Sequence, residues 1–243
     1  MTRLGAIIAG VQKAGTSSLF GYLAQHPDLA APRCKELHYF DDEGIDWSAP
    51  GHDRLHAHFP AADERLRFEA TPIYSFWPDA LARIRHYNPD IRLILIFRDP
   101  IARAWSHWRM ERQRGDETRS FSDAIRATPS DEAGWRHHSY VARGFYGEQL
   151  QRALALFARA QLLLLRDTDL AQDHAAVLER VAGFLGIGAF PGLAPRRDNE
   201  GAPMGEMPAG DRDYLREVYR EDTALFAALS GLDVGDWLAA EAA

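Results

Sequence analysis

Short apolar runs alternate with amphipathic stretches along the chain. Polar residues or glycines bound the apolar runs, as is usual for buried strands, and these runs lie at Leu4–Ala9, Leu66–Ala70, Arg92–Phe97 and Gln161–Leu165. Helical periodicity marks Thr16–Gln25, Pro78–His86, Pro100–Arg112, Tyr146–Ala160, Ala171–Leu185 and Asp211–Leu229. This alternation predicts an α/β fold in which helices flank a mainly parallel central sheet on both faces.

The length and the apolar segments limit the organisation of the chain. With 243 residues, and without an internal repeat or an obvious linker, residues 1–243 are expected to form one domain. The apolar run near the N-terminus is too short to span a bilayer and no other stretch is long and apolar enough, so we expect no membrane span and a cytoplasmic protein. The single cysteine, Cys34, excludes an intramolecular disulfide and a multi-cysteine metal site.

The charged residues exclude some classes of function and indicate two candidate residues. A formal net charge of −7 argues against broad nucleic-acid binding, which normally requires a basic domain or stripe. The ten histidines form no convincing ligand cluster, so no metal is expected. Of the 28 basic residues only Lys13 and Lys35 are lysines. A lysine retained in such a chain is more often one whose compact ammonium group is needed.

The first predicted strand leads into a glycine-rich loop and a helix. Glycines allow successive backbone N–H groups to face inward, and the start of a helix adds N–H donors and positive dipole. Together with the Lys13 ammonium group and three hydroxyls, they predict a P-loop-like site for phosphate or sulfate. Its candidate residues are Gln12, Lys13, Ala14, Gly15, Thr16, Ser17 and Ser18. The alternative is a tight turn capped by Thr16 or Ser17.

The loop differs from the P-loop of nucleotide kinases. Gly10 and Gly15 have the P-loop spacing, but Thr16 stands where the lysine is required and Lys13 lies in mid-loop. This displacement argues against ATP or GTP, although a small-molecule kinase remains an alternative function.

A second anion site is predicted after the Arg92–Phe97 strand. Arg98 directly follows this strand, and Asp99 followed by Pro100 is a favourable helix start. Ser106 lies about two helical turns further on. Ligands of open α/β sheets bind at the carboxyl ends of the strands, so Arg98 and Lys13 are expected to face one cavity. Alternatively, Arg98 pairs with a carboxylate such as Asp99 and Ser106 faces solvent.

Taken together, these motifs resemble those of sulfotransferases, nearest to the heparan sulfate group and its bacterial relatives. The resemblance is carried by residues 10–18, 35–40, 69–74, 97–106 and 143–146 and covers nearly the whole chain. It implies transfer of a sulfonate group from 3'-phosphoadenylyl sulfate to a hydroxyl, less often an amine, of a small-molecule or carbohydrate acceptor. A non-catalytic nucleotide- or carbohydrate-binding module on the same fold is a further alternative.

The same resemblance implies roles for individual residues. Lys13 would neutralise the departing phosphate, residues 12–18 would bind the 5'-phosphate, Arg98 and Ser106 the 3'-phosphate, and Gly201 would contribute from a late loop. Glu36 would be the general base, and period-two geometry would place His38 beside it. In the alternative interpretation Glu36 is only a surface partner of Lys35. Neither the acceptor nor the oligomeric state follows from the sequence.

Overall fold

The computed structural model describes residues 3–196, 198 and 205–238. The chain divides into two compact units, one formed by residues 1–97 and 152–198 and the other by residues 98–151 and 199–243. One domain over residues 1–243 therefore stays a prediction.

The first unit contains a five-stranded parallel sheet. Its strands are β1 Leu4–Gly10, β2 Leu29–Ala30, β3 Leu66–Ala70, β4 Arg92–Phe97 and β5 Leu162–Arg166. Their order is β2-β3-β1-β4-β5 and all four pairings are parallel. The parallel α/β prediction is confirmed. The sequence missed β2 because two residues are too few for a periodic signal.

The helices are α1 Thr16–Leu23, α2 Asp53–His56, α3 Ala80–Tyr87, α4 Pro100–Arg114, α5 Phe121–Ala124, α6 Glu132–His138, α7 Tyr146–Leu156, α8 Asp167–Gln172, α9 His174–Leu185 and α10 Ala209–Ser230. Short 3-10 turns lie at Ala142–Gly144 and Arg159–Gln161. The predicted helix from Tyr146 ends at Leu156 rather than Ala160, because Ala158 is extended (φ −61°, ψ 146°) and a 3-10 turn follows it. Helices α2, α5 and α6 lie in segments that the sequence analysis left without elements.

The strands of the first unit are buried on both faces. On one face Ile8, Phe68 and Ile94 pack with residues of α1, α8 and α9. The alternate positions Ile7 and Leu93 are also fully buried. This burial explains why β1 and β4 read as continuous apolar runs, which is typical of strands inside a parallel sheet.

The second unit is built mainly from α4, α5, α6 and α10. Its core includes Trp108, Phe121 and Tyr219. Arg103 is fully buried in this unit, and its guanidinium group donates to the carbonyl oxygen of Tyr140. This bond ties α4 to the segment at Tyr140, since a buried guanidinium without a partner would be costly.

Two helix ends are confirmed as predicted. The Asp99 carboxylate accepts the N–H of Ile101 at 2.8 Å, so Asp99 caps α4 with Pro100 in its first turn. Gly186 ends α9 with φ 64°, in the left-handed region that favours glycine. In the part of the chain that is described, no helix has both the length and the apolarity to cross a bilayer.

We expect opposite effects from alanine at two glycines of α9. Gly186→Ala should lower the free energy of unfolding by about 1 kcal/mol, because alanine is strained at positive φ. Gly183→Ala should raise it by up to about 1 kcal/mol, since Gly183 is an exposed helical residue whose added Cβ meets nothing within 4 Å. Urea unfolding of the two variants measures both. Equal effects of the same sign would contradict this account of the helix end.

Candidate active site

The loop between β1 and α1, residues 11–15, is fixed to the sheet. The N–H of Val11 donates to the carbonyl oxygen of Ile96 at 2.8 Å. Gly10 precedes the loop, and a Cβ there would lie 2.5 Å from Ser75 Oγ, so only glycine fits. Lys13 and Gly15 both have left-handed backbones, with φ 71° and 87°. Such residues curl a loop so that its N–H groups converge, the geometry of an anion nest.

The residue at the start of α1 is a glycine. Gly15 is the N-cap residue, so the cap position itself carries no side chain. Thr16 and Ser17 follow the cap position instead of occupying it. The positive end of the helix dipole faces the loop that carries Lys13.

The hydroxyl of Ser18 is directed to another segment. Ser18 is buried, and its Oγ accepts the N–H of Asp198 at 3.0 Å. Nearby, the N–H of Arg196 donates to the Tyr22 hydroxyl at 2.6 Å, and a Cβ on Gly21 would come within 2.7 Å of the Arg196 guanidinium carbon. Ser18 therefore anchors the segment that precedes the late loop. Gly201 lies outside the described residues.

The second predicted anion site belongs to the second unit. Arg98 is half-buried directly before α4, and Ser106 is half-buried within that helix. Burial raises the pKa of Asp99, against the opposing effects of N–H groups at the helix start and of the Arg98 charge. A cavity shared by Arg98 and Lys13 stays a prediction.

Glu36, His38 and Asp41 form a connected group, which we call the acid–base cluster. His38 Nδ1 lies 2.9 Å from Asp41 Oδ2, and His38 Nε2 lies 3.7 Å from Glu36 Oε2. The ammonium group of Lys35 bonds the other oxygen of Glu36. Asp41 is fully buried, whereas the side chains of Glu36 and His38 are 44% and 45% exposed. The cluster thus extends from a buried carboxylate to an accessible one.

The acid–base cluster lies at the same sheet edge as the β1–α1 loop. The N–H of Glu36 donates to the carbonyl oxygen of Ala70, the last residue of β3, at 3.0 Å. Strands β3 and β1 pair in parallel, with Ala70 opposite Ile8. The carboxyl ends of parallel neighbours share one edge, so the segments bearing Lys13 and Glu36 both start from it.

The expected strand geometry of residues 36–38 is wrong. Glu36 and His38 have φ values of 62° and 49°, in the left-handed region. Each such residue costs on the order of 1 kcal/mol, and this strain persists only where surrounding contacts impose it. The side chains of Glu36 and His38 do lie close together. The left-handed backbone brings them together, and not the alternation of side chains along a strand.

Charge coupling shifts the pKa values of the pair in opposite directions. Burial raises the pKa of Glu36, but the nearby His38 ring and the charge of Lys35 outweigh it and lower the pKa to about 2. The hydrogen bond to Asp41 and the Glu36 carboxylate 3.7 Å away raise the pKa of His38 to about 9. At neutral pH the pair is therefore a carboxylate beside an imidazolium. Lys35 is a partner of Glu36, as the alternative interpretation held, but His38 is a second partner.

A buried carboxyl group supports the cluster from β3. Glu69 is fully buried, and the Thr71 hydroxyl donates to its Oε2 at 2.8 Å. Burial raises the pKa of Glu69 to about 7, although hydrogen bonds from Thr71 and Tyr74 oppose the shift. Asp41 and Glu69 were not selected from the sequence. Their positions could have indicated them. Asp41 follows His38 by three residues, and Glu69 lies near the end of a buried strand.

The stability of the cluster should depend on pH. The raised pKa of His38 means that its contribution is complete below its unfolded value near 6.5 and is lost as the pH rises through about 9. Allowing for solvent screening, wild type should lose about 1 kcal/mol relative to His38→Gln between pH 6 and pH 9.5. Urea unfolding at the two pH values measures this. His137→Gln should not show the loss, because burial lowers the pKa of His137. A constant difference for His38→Gln would exclude the ion pair.

Comparison with known proteins gives one consistent family. The sulfotransferase domain family matches residues 5–194. Human heparan sulfate glucosamine 3-O-sulfotransferase 3B1 is 30% identical over 259 residues, which cover 95% of this chain and 64% of that protein. The mouse 3A1 protein is 31% identical over 260 residues, covering 95% and 63%. The chain thus spans less than two thirds of the length of these relatives.

Solved structures show the same fold. A crystal structure of a sulfotransferase from Alicyclobacillus acidocaldarius superposes with a TM-score of 0.80 at 28% identity, covering 98% of this chain and 99% of that chain. A mouse sulfotransferase complexed with PAP shares the fold at a TM-score of 0.51 and 13% identity, over 78% and 61% of the two chains. The family match over residues 5–194 and the shared fold show that the chain belongs to the sulfotransferase family.

Proposed function

We propose that this sulfotransferase moves a sulfonate group from 3'-phosphoadenylyl sulfate to a hydroxyl group, with Glu36 as the general base. The observation that carries the proposal is that the β1–α1 loop and the acid–base cluster lie at the same edge of the sheet. The β1–α1 loop offers an ammonium group and N–H donors, and the acid–base cluster offers a carboxylate. Sulfonate transfer requires both, because charge leaves on a phosphate while a proton leaves the acceptor.

We assign the donor from the groups of the β1–α1 loop and from a solved structure that shares the fold. A phosphate group fits the positive φ of Lys13 and Gly15 and the glycine at the N-cap position of α1. The mouse structure that shares this fold is complexed with PAP. We assign the 5'-phosphate to residues 12–18 and the 3'-phosphate to Arg98 and Ser106. In the described part of the chain no group of His, Cys, Asp or Glu side chains has an arrangement that could hold a metal ion.

The reaction is an in-line displacement. The acceptor oxygen forms a bond to sulfur, its proton passes to a Glu36 carboxylate oxygen, and the bond between sulfur and the 5'-phosphate oxygen breaks. A carboxylate with a pKa of about 2 is a weak base, so it accepts the proton as the new bond forms rather than beforehand. Lys13 offsets the charge that develops on the departing phosphate, where it counts most in the transition state.

For the acceptor we propose a carbohydrate hydroxyl. The relatives at 30% and 31% identity are named as glucosamine 3-O-sulfotransferases, whereas a bifunctional N-deacetylase/N-sulfotransferase is 28% identical over a shorter region, 74% of this chain. An oxygen acceptor is therefore favoured over an amine. The cytoplasmic location expected from the sequence stays a prediction.

Donor binding distinguishes this proposal from a kinase. Adenosine 3',5'-bisphosphate should bind with a dissociation constant on the order of 1 μM without magnesium, since its phosphates are held by protein donors alone. Lys13→Ala should weaken this binding less than it reduces the rate of transfer. Isothermal titration calorimetry measures the affinities. Tighter binding of ATP with magnesium would overturn the donor assignment in favour of a small-molecule kinase.

The general base is tested by an isosteric change. Glu36→Gln should lower kcat for sulfonate transfer by about 100-fold or more, because the amide cannot accept the proton. Binding of adenosine 3',5'-bisphosphate should be unchanged. Glu64→Gln, an exposed glutamate of the same unit, is the matched control. The assay follows transfer of labelled sulfonate to heparan sulfate oligosaccharides and to a panel of small hydroxyl compounds.

Two outcomes would contradict this mechanism. Unchanged kcat in Glu36→Gln would exclude Glu36 as the base. Tight bisphosphate binding without transfer to any acceptor of the panel would favour a non-catalytic nucleotide-binding module.

A further inference from the structure

We propose that Tyr74 is a positioning residue for the acid–base cluster. Its effect on catalysis rests on the proposed function, whereas its effect on the cluster does not. The contacts of its hydroxyl group carry the inference.

The Tyr74 hydroxyl oxygen accepts two backbone N–H groups. It lies 3.1 Å from the nitrogen of Tyr39 and 3.3 Å from that of Phe40. These are the two residues between His38 and Asp41. The hydroxyl therefore fixes the backbone on which the imidazole and its buried carboxylate partner are both mounted.

The Tyr74 hydroxyl lies among other buried polar groups. An oxygen that already accepts two N–H groups has one proton to donate, and the side chains of Glu69 and Thr71 both act on this hydroxyl. The Thr71 hydroxyl donates to the Glu69 carboxyl group at 2.8 Å. Glu69, Thr71 and Tyr74 are each fully buried, so water does not compete for these bonds.

The cluster needs such a support because of its backbone. Glu36 and His38 are both left-handed, a conformation that non-glycine residues abandon unless their surroundings impose it. The bond from Glu36 N to Ala70 O holds one end of the segment at β3, and Tyr74 holds the other. Without the second anchor, residues 36–40 can relax and turn the His38 ring away from Asp41.

Tyr74→Phe tests the hydroxyl alone. The Tyr74 ring packs edge-on against Phe40 at 5.6 Å between centroids, and phenylalanine keeps this contact. Tyr87→Phe is a matched control in the same unit, because the Tyr87 hydroxyl also accepts a backbone N–H, that of Leu4 at 2.8 Å, and Leu4 begins β1 rather than leading into the cluster.

The decisive measurement is the titration of the His38 ring by NMR in the ligand-free protein. A spectrum of His38→Gln assigns the signal. The charged groups that hold the His38 pKa up to about 9 are Asp41 and Glu36, with Glu69 as a further carboxyl group nearby. Tyr74→Phe should lower the pKa of His38 by about one unit or more, because the ring separates from Asp41. Tyr87→Phe should leave it unchanged.

A rate measurement links the support to catalysis. With 3'-phosphoadenylyl sulfate and heparan sulfate oligosaccharides, kcat of Tyr74→Phe should fall by about 10- to 100-fold while KM for the donor stays within about twofold, since only the base is displaced. Thr71→Val should change both readouts in the same direction but less, and it serves as the test if Tyr74→Phe does not fold.

An unchanged His38 titration in the folded Tyr74→Phe protein, or the same change in Tyr87→Phe, would overturn the inference. If the titration shifts but no acceptor is sulfonated by wild type, the positioning role stands and the proposed function fails.

Discussion

Parallel pairing of β1 with β3 is the constraint on which the site depends. It brings the carboxyl ends of two strands, more than fifty residues apart in the chain, to one edge of the sheet. The β1–α1 loop leaves from one end, and the segment with Glu36 is bonded to the other through Ala70. Because the register is set by apolar side chains buried on both faces, the positions of polar groups at the edge follow from core packing.

Much of the fold could be predicted, because its signals are local. The apolar runs identified four of the five strands, and Asp99 marked the start of a helix through its own capping chemistry. Strand β2 and the short helices α2 and α5 escaped detection, since their two to four residues contain no full period. These elements are stabilised by tertiary contacts rather than by local propensity.

The sequence predicted which residues form the site better than it predicted their conformations. Lysine scarcity pointed to Lys13 and Lys35, and Lys35 does bond Glu36. The left-handed backbones of Glu36 and His38 could not be foreseen, because only a few per cent of non-glycine residues adopt that region. The lowered pKa of Glu36 likewise depends on neighbours that only the folded chain assembles. Sequence indicates which groups are present, whereas their charge states are set by contacts.

The attachment of residues 196 and 198 to α1 has a consequence for protein engineering. Arg196 lies against the bare backbone of Gly21 and bonds Tyr22, and Asp198 bonds Ser18. A segment that is exchanged between relatives at residues 196 and 198 would lose these contacts unless the matching face of α1 were transferred with it. The segment and the helix therefore have to be exchanged together.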